Sequence, residues 1–277
     1  MTVLLSLLAA ASYGLGDFNG GLFSRRGGAW AVSLVAQLGG TTMVLVVVAF
    51  TGGSPTAADL GWAVAGGVAN GFGTAFLYRG LASGRMGVVA PVSGVGAVVV
   101  PVLVGTLAGE RPGGLVWLGV LLALPAIWLV SREPVTGPTV GVGSGLLDGV
   151  LAGLGFGTLF AALAQIPGSA GWFPLALNQL VAGFAIIGIA TVLRASWVPT
   201  NRYALGGLLS GALGALATGL FQVATRHGYL AVAAVITSLY PAVTVLLAAT
   251  VLREHVHRAQ AVGLALCAGC IVLVAAG

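Results

Sequence analysis

Lysine is absent from this 277-residue chain, and only 6% of its residues carry a charge. Soluble globular domains carry about 25% charged residues, so a water-facing surface of ordinary size cannot be built from this composition. Cysteine occurs twice, as Cys267 and Cys270. A C-x-x-C in a redox protein sits beside a βαβ pattern and near water; this one lies deep in the last apolar run and reads as two small packing residues. Histidine occurs three times. His227 precedes one long apolar run while His255 and His257 follow it, which excludes a three-histidine zinc site within one chain. An embedded enzyme needs a nucleophile, base or metal set converging at one depth. With histidines only in loops, dispersed serines and no acid pair on one face, neither enzymatic activity nor a metal or cofactor is expected.

What the chain does contain is apolar: 58% hydrophobic residues and a mean hydropathy of +1.08. Uncharged stretches of about 20 residues read as transmembrane helices. Polar and charged breaks divide the sequence into ten spans, at 2–23, 29–50, 60–78, 86–108, 114–131, 143–166, 173–194, 204–225, 230–252 and 260–276. The first lacks a basic leader and a small-residue cleavage site, so it is expected to be retained rather than removed. The net charge of +5 comes from eleven arginines. They stand singly or in pairs between apolar runs, which points to membrane topology and away from a nucleic-acid partner.

The two halves resemble each other. Sliding residues 66–130 by 144 positions pairs Gly67 with Gly211, Thr74 with Thr218, Thr106 with Thr250, Glu110 with Glu254 and Gly119 with Gly263. It gives about 14 identities in 65 positions, against roughly 6 expected from so biased a composition. In the first half the arginines follow the first and third spans (Arg25, Arg26, Arg79, Arg85). In the second they mainly follow the second and fourth (Arg194, Arg202, Arg253, Arg258). Five spans per half invert the second copy, so the shifted arginines return to one side, as in inverted-repeat transporters. The expected fold is therefore an all-α integral membrane protein of ten transmembrane helices in two inverted-topology five-helix repeats. Residues 1–131 form the first repeat, 132–142 the linker and 143–277 the second repeat. Nine arginines lie in odd-numbered loops and two, Arg111 and Arg226, in even ones, which places the odd loops in the cytoplasm and both termini outside.

Two stretches, "AGERPGGLVWLGVLLALPAIWLV" (Ala108–Val130) and "LREHVHRAQAVGLALCAGCIVLV" (Leu252–Val274), each carry an acid after the fourth span of a half and a glycine nine residues later. With "ITSLYPAVTVLLAATVLRE" (Ile236–Glu254) and the five-plus-five pattern, the chain resembles the drug/metabolite transporter superfamily, specifically its EamA-type members. The first half departs from the second, with Pro91 and Pro101 opposite Val235 and Val245 and Ala97 opposite Pro241. The resemblance implies a ten-helix carrier that exports or exchanges small organic molecules, of a superfamily that handles amino acids, sugars, nucleotide conjugates and drugs.

In "SYGLGDFNGGLFSRRGG" (Ser12–Gly28) the acid Asp17 stands inside an apolar span, where a charge costs roughly 2.5–3.5 kcal/mol. Tyr13, Gly14, Gly20 and Gly21 share its helical face, which must look into protein because lipid leaves a carboxyl unsatisfied. Asp17 is the first candidate for proton coupling or substrate contact; the plainer role is a structural acid paired with Arg25 or Arg26. The superfamily's small four-helix members similarly carry a first-helix carboxylate, a glutamate. Asp148, near the start of span six, is the second candidate.

Asn70, Thr74 and Tyr78 recur every four residues in span three, and their counterparts in span eight are Gly214, Thr218 and Gln222. Two related helices with polar stripes suit a midplane cavity, so Tyr13, Asn70, Thr74, Tyr78, Thr218, Gln222 and Tyr240 are the expected lining. Pro241 interrupts span nine, and Pro91 and Pro101 punctuate span four; all three are gating candidates. Glycines 141, 145, 149, 153 and 157 allow close helix contact, internally or between protomers. Glu110 and Glu254 sit just before new spans and suit helix N-termini.

Together these features predict a secondary transporter, an exporter or exchanger of small organic metabolites or drugs, working by alternating access with proton coupling through Asp17. The scarcity of buried charge favours a neutral, zwitterionic or amphiphilic substrate over a polyanion. The expected surroundings are the lipid bilayer of a prokaryotic plasma (inner) membrane, crossed many times by a monomer or homodimer. An uncoupled uniporter or exchanger is the alternative, followed by a non-transporting receptor or scaffold.

Overall fold

In hydrocarbon every backbone polar group must be satisfied within its own segment, and a computed structural model of the chain is correspondingly helical. It describes residues 1–82, 86–130, 142–251, 253 and 256–277. Gly84, Arg85, Gly141, Glu254, His255 and the linker up to residue 141 lie outside the described residues, as does the side chain of Pro91. In order, the helices are α1 (Thr2–Gly27), α2 (Ala29–Phe50), α3 (Ala57–Ala82), α4 (Met86–Leu107), α5 (Gly114–Val130) and α6 (Val142–Leu163). They continue with α7 (Phe173–Val192), α8 (Gly207–Thr225), α9 (Leu230–Thr237), α10 (Tyr240–Val251) and α11 (Arg258–Ala276), and no strand occurs among the described residues.

Seven stretches among the described residues are long and apolar enough to cross a membrane, with α9 and α10 counted together as Leu230–Val251. Val92–Leu107 and α5 are apolar but shorter. α1 is not among the seven, although the sequence reading made it the first span. Its position explains why: it packs against α8, α9, α10, α2 and α3. Ser6, Ala9, Ala10, Gly14, Gly16 and Gly20 are buried, while Leu4, Leu8, Leu15 and Leu22 remain exposed. These leucines fall on one stripe at 3.6-residue periodicity, so a single face meets lipid and the rest is too small and polar to raise the average hydropathy.

Two helices outrun their expected ends for local reasons. α1 continues past residue 23 to Gly27, with Arg25 and Arg26 in its last turn, where cations complement the helix dipole. α3 starts at Ala57 because Thr56 and Asp59 cap it: the Thr56 amide and hydroxyl both donate to Asp59 Oδ2 at 2.8 Å. The break at span nine falls between Thr237 and Tyr240, so Pro241 occupies the first turn of α10, where a missing amide hydrogen costs nothing. α4, by contrast, runs unbroken through Pro91 and Pro101.

α3 packs on α6 and α7, and α8 packs on α1 and α2; α4 packs on α6, α9 and α10 on α1, and α5 on α11. Gly149, Gly153 and Gly157 of α6 serve the internal contact with α4. A Cβ on Gly153 would lie 2.9 Å from Gly96 Cα, and one on Gly157 would lie 2.7 Å from the Gly96 carbonyl oxygen. Such separations leave no room for a side chain. Cys267 and Cys270 are buried free thiols on α11, packed toward α5.

Candidate functional site

A group of polar side chains inside the bundle surrounds a cavity bounded by α1, α2, α3, α6, α7, α8 and the start of α10. Among its lining residues are Tyr13, Asp17, Asn70, Thr74, Tyr78, Thr218 and Tyr240. Seven of the sequence-derived candidates therefore meet in one place, although they lie on four helices and span 227 positions of the chain.

A relay of donors runs from α2 through α3 to α7. Gln37 Nε2 donates to Thr74 Oγ1 at 3.3 Å, and Thr74 Oγ1 donates to Asn70 Oδ1 at 3.2 Å. Asn70 Nδ2 in turn donates to Gln179 Oε1 at 2.6 Å and to Asn178 Oδ1 at 3.2 Å. These groups are at most 8% exposed, and a buried amide without such partners would cost about 1–3 kcal/mol. The relay therefore keeps the polar wall in one arrangement.

On the opposite wall α1 is tied to α8. Thr218 Oγ1 donates to the Gly214 carbonyl at 2.7 Å, which leaves the Tyr13 hydroxyl to donate to Thr218 at 2.7 Å. Asn19 Nδ2 donates to Ser210 Oγ at 2.9 Å and to the Gly206 carbonyl at 3.1 Å. Tyr78 lies against Gly20, where any Cβ would collide with the phenol.

Rings line another side. Tyr13 lies 6.0 Å from Phe160 and 6.1 Å from Tyr240, and Phe160 stacks on Phe221 at 4.4 Å. The Tyr240 hydroxyl is 3.4 Å from Ser93 Oγ of α4. Asp17 is half-buried and lines the same cavity as Tyr13, Tyr78 and Tyr240. The ion pair found among the described residues is Arg79 with Asp148; none found there joins a cation to Asp17.

Two candidates lie apart. Asp148 is 4% exposed and holds Arg79 of α3, whose Nε is 3.0 Å from Oδ1 and whose guanidinium also lies 4.4 Å above the Phe76 ring. Gln222 is 1% exposed, one turn beyond Thr218, and its amide nitrogen and oxygen find no partner among the described residues. Neither lines the cavity. Sequence reasoning passed over Gln37, Gln179, Ser210, Phe156 and Phe160, which do. Gln37 and Gln179 were detectable in principle, since each is an amide near the middle of an apolar span. A phenylalanine in such a run carries no comparable signal.

Residues 143–276 match the model of the EamA-like transporter family. No curated protein matches the chain. A solved structure described only as the crystal structure of a protein shares the fold with a TM-score of 0.76 at 15% identity, over 99% of this chain and 98% of its own.

Proposed function

We propose that this chain, whose residues 143–276 match the EamA-like transporter family, a family of small-molecule transporters, is a secondary transporter working by alternating access. The observation that carries the reading is the cavity, because both halves of the chain build it and its one carboxyl group is Asp17.

Ten spans in two inverted five-helix repeats, 1–131 and 143–277 about a 132–142 linker, account for how the helices pair. Exchanging α1 with α6, α2 with α7, α3 with α8, α4 with α9–α10 and α5 with α11 turns the α3–α6 contact into α8–α1. The same exchange turns α3–α7 into α8–α2 and α4–α6 into α9–α10 on α1. Single residues follow the same rule. Gly67 of α3 abuts the Asn178 carbonyl of α7, and Gly211 of α8, 144 positions later, abuts the Ala36 carbonyl of α2. A site at such a repeat interface is where alternating access needs it.

Asp17 is the coupling group in this reading. The groups facing it are the phenols of Tyr13, Tyr78 and Tyr240, so it can release a proton to one side and take one from the other without breaking an ion pair. The break between α9 and α10 supplies a hinge, with Pro241 at its start. The arginine distribution supports odd-numbered connections in the cytoplasm of a prokaryotic inner membrane.

Reporter fusions at the C-terminus and within residues 131–142 should report opposite faces of the membrane. Fusions reporting one face would contradict the five-plus-five arrangement. Tracer counterflow into proteoliposomes should then accompany any ligand that binds the cavity, and binding without counterflow would contradict transport.

A further inference from the structure

Asp17 is the one charged side chain among the cavity's lining residues; no arginine or histidine joins it. The neutral polar groups nearby are already engaged. Asn70, Thr74, Gln37 and Gln179 bond one another, and Tyr13 bonds Thr218. Asp17 is the lining group whose chemistry remains to be met by something that enters.

The remaining surface is aromatic. Tyr13, Phe156, Phe160 and Tyr240 present rings to the cavity, with Tyr13 6.0–6.1 Å from two of the others. A ring face attracts a cation, more strongly where water is excluded, and aromatic enclosures of this kind bind ammonium groups. An anion would meet a carboxylate and no cation. A zwitterion would leave its own carboxylate without a partner in a water-poor space, which is costly.

We propose that the cavity, about 60 Å³ as it stands and widening when the two halves move apart, takes an organic monocation, with an ammonium group against Asp17 and an apolar body against the rings of Tyr13, Phe156, Phe160 and Tyr240. The proposal deepens the transporter reading and rests on it. It narrows the substrate class to amines and related cations.

Four probes share a phenyl ring and a short chain and differ in charge: phenethylamine, phenylalanine, 3-phenylpropionate and 2-phenylethanol. Calorimetry on the purified full-length protein in detergent should register phenethylamine ahead of the other three. Asp17→Asn should weaken that binding about thirtyfold or more, the loss expected when one partner of a desolvated charge pair is removed. Tyr240→Phe should retain binding, while Tyr240→Leu should weaken it, because the ring face and not the hydroxyl makes the contact. Melting curves establish that each variant is folded. Binding of phenylalanine or 3-phenylpropionate as tight as that of the amine would overturn the proposal. So would amine binding unchanged in Asp17→Asn, or binding of none of the four. Uptake assays separate the two levels: amine binding without flux would sink transport and leave the site standing. Flux of the anion would sink the substrate class and leave transport standing.

Discussion

Arg79 of α3 and Asp148 of α6 form an ion pair that joins the two halves of the chain, with the Arg79 side chain 34% exposed and that of Asp148 6%. The asymmetry of exposure sets the consequence of breaking it. Arg79 can reach water along its stem, whereas Asp148 cannot.

Arg79→Gln therefore strands a buried carboxylate and should cost more than Asp148→Asn, which strands a cation able to turn outward. We expect about 2–3 kcal/mol for the former and about 1 kcal/mol for the latter. Thermal melts of both variants in detergent check the order. An equal loss in both would mean that the pair acts as a unit without this asymmetry.

Gln222 offers a gain instead of a loss. Its amide, without a partner among the described residues, is 1% exposed, and an unsatisfied buried polar group costs about 1–3 kcal/mol. Gln222→Met preserves the volume and removes the amide, so the melting temperature should rise. A fall would show that the amide has a partner in the folded protein.

Much of this was legible in the sequence, and the failures have physical causes. Among the described residues, the positions of seven apolar helices long enough to cross a membrane followed from hydropathy, because the bilayer fixes the length of an apolar run. Asp17, Asn70, Thr74 and Tyr78 were found because polar groups on one helical face must look inward. Gln222 shares the stripe of Thr218 yet lies outside the cavity, since periodicity gives the face of a helix and not the depth at which a cavity ends. Asp148 drew attention as an intramembrane acid. Its partner Arg79 lies 69 positions earlier on another helix, a distance that no local pattern bridges. Phe156 and Phe160 went unnoticed because a ring facing a cavity and a ring facing lipid look alike in an apolar run.

Close helix contact makes a sharper test. A Cβ on Gly153 would come within 2.9 Å of Gly96 Cα and 3.0 Å of the Ser93 carbonyl oxygen, whereas one on Gly188 meets nothing within 4 Å. Gly153→Ala should cost about 1–3 kcal/mol by forcing α4 and α6 apart. Gly188→Ala should be neutral or slightly stabilising. Expression level and melting temperature of the pair would reveal the difference, and equal behaviour would contradict the packing.

Glu110 caps α9, accepting from the Leu230 amide at 2.6 Å and the Ala231 amide at 3.1 Å. The carboxylate satisfies two orphan donors and complements the positive end of the helix. Glu110→Ala should lower stability by about 1–2 kcal/mol, and Glu110→Gln by less, since one acceptor remains. Melting curves that rank the two variants in the opposite order would contradict this role.

Asp17 decides the central claim. Proteoliposomes loaded with a pH-sensitive dye, carrying wild type or Asp17→Asn, would be challenged in parallel with phenethylamine and with radiolabelled tracer of the same compound. The account predicts ligand-dependent proton movement in wild type and its loss in Asp17→Asn. Tracer flux undiminished by the substitution, with no proton movement in either protein, would contradict coupling and leave Asp17 a structural acid.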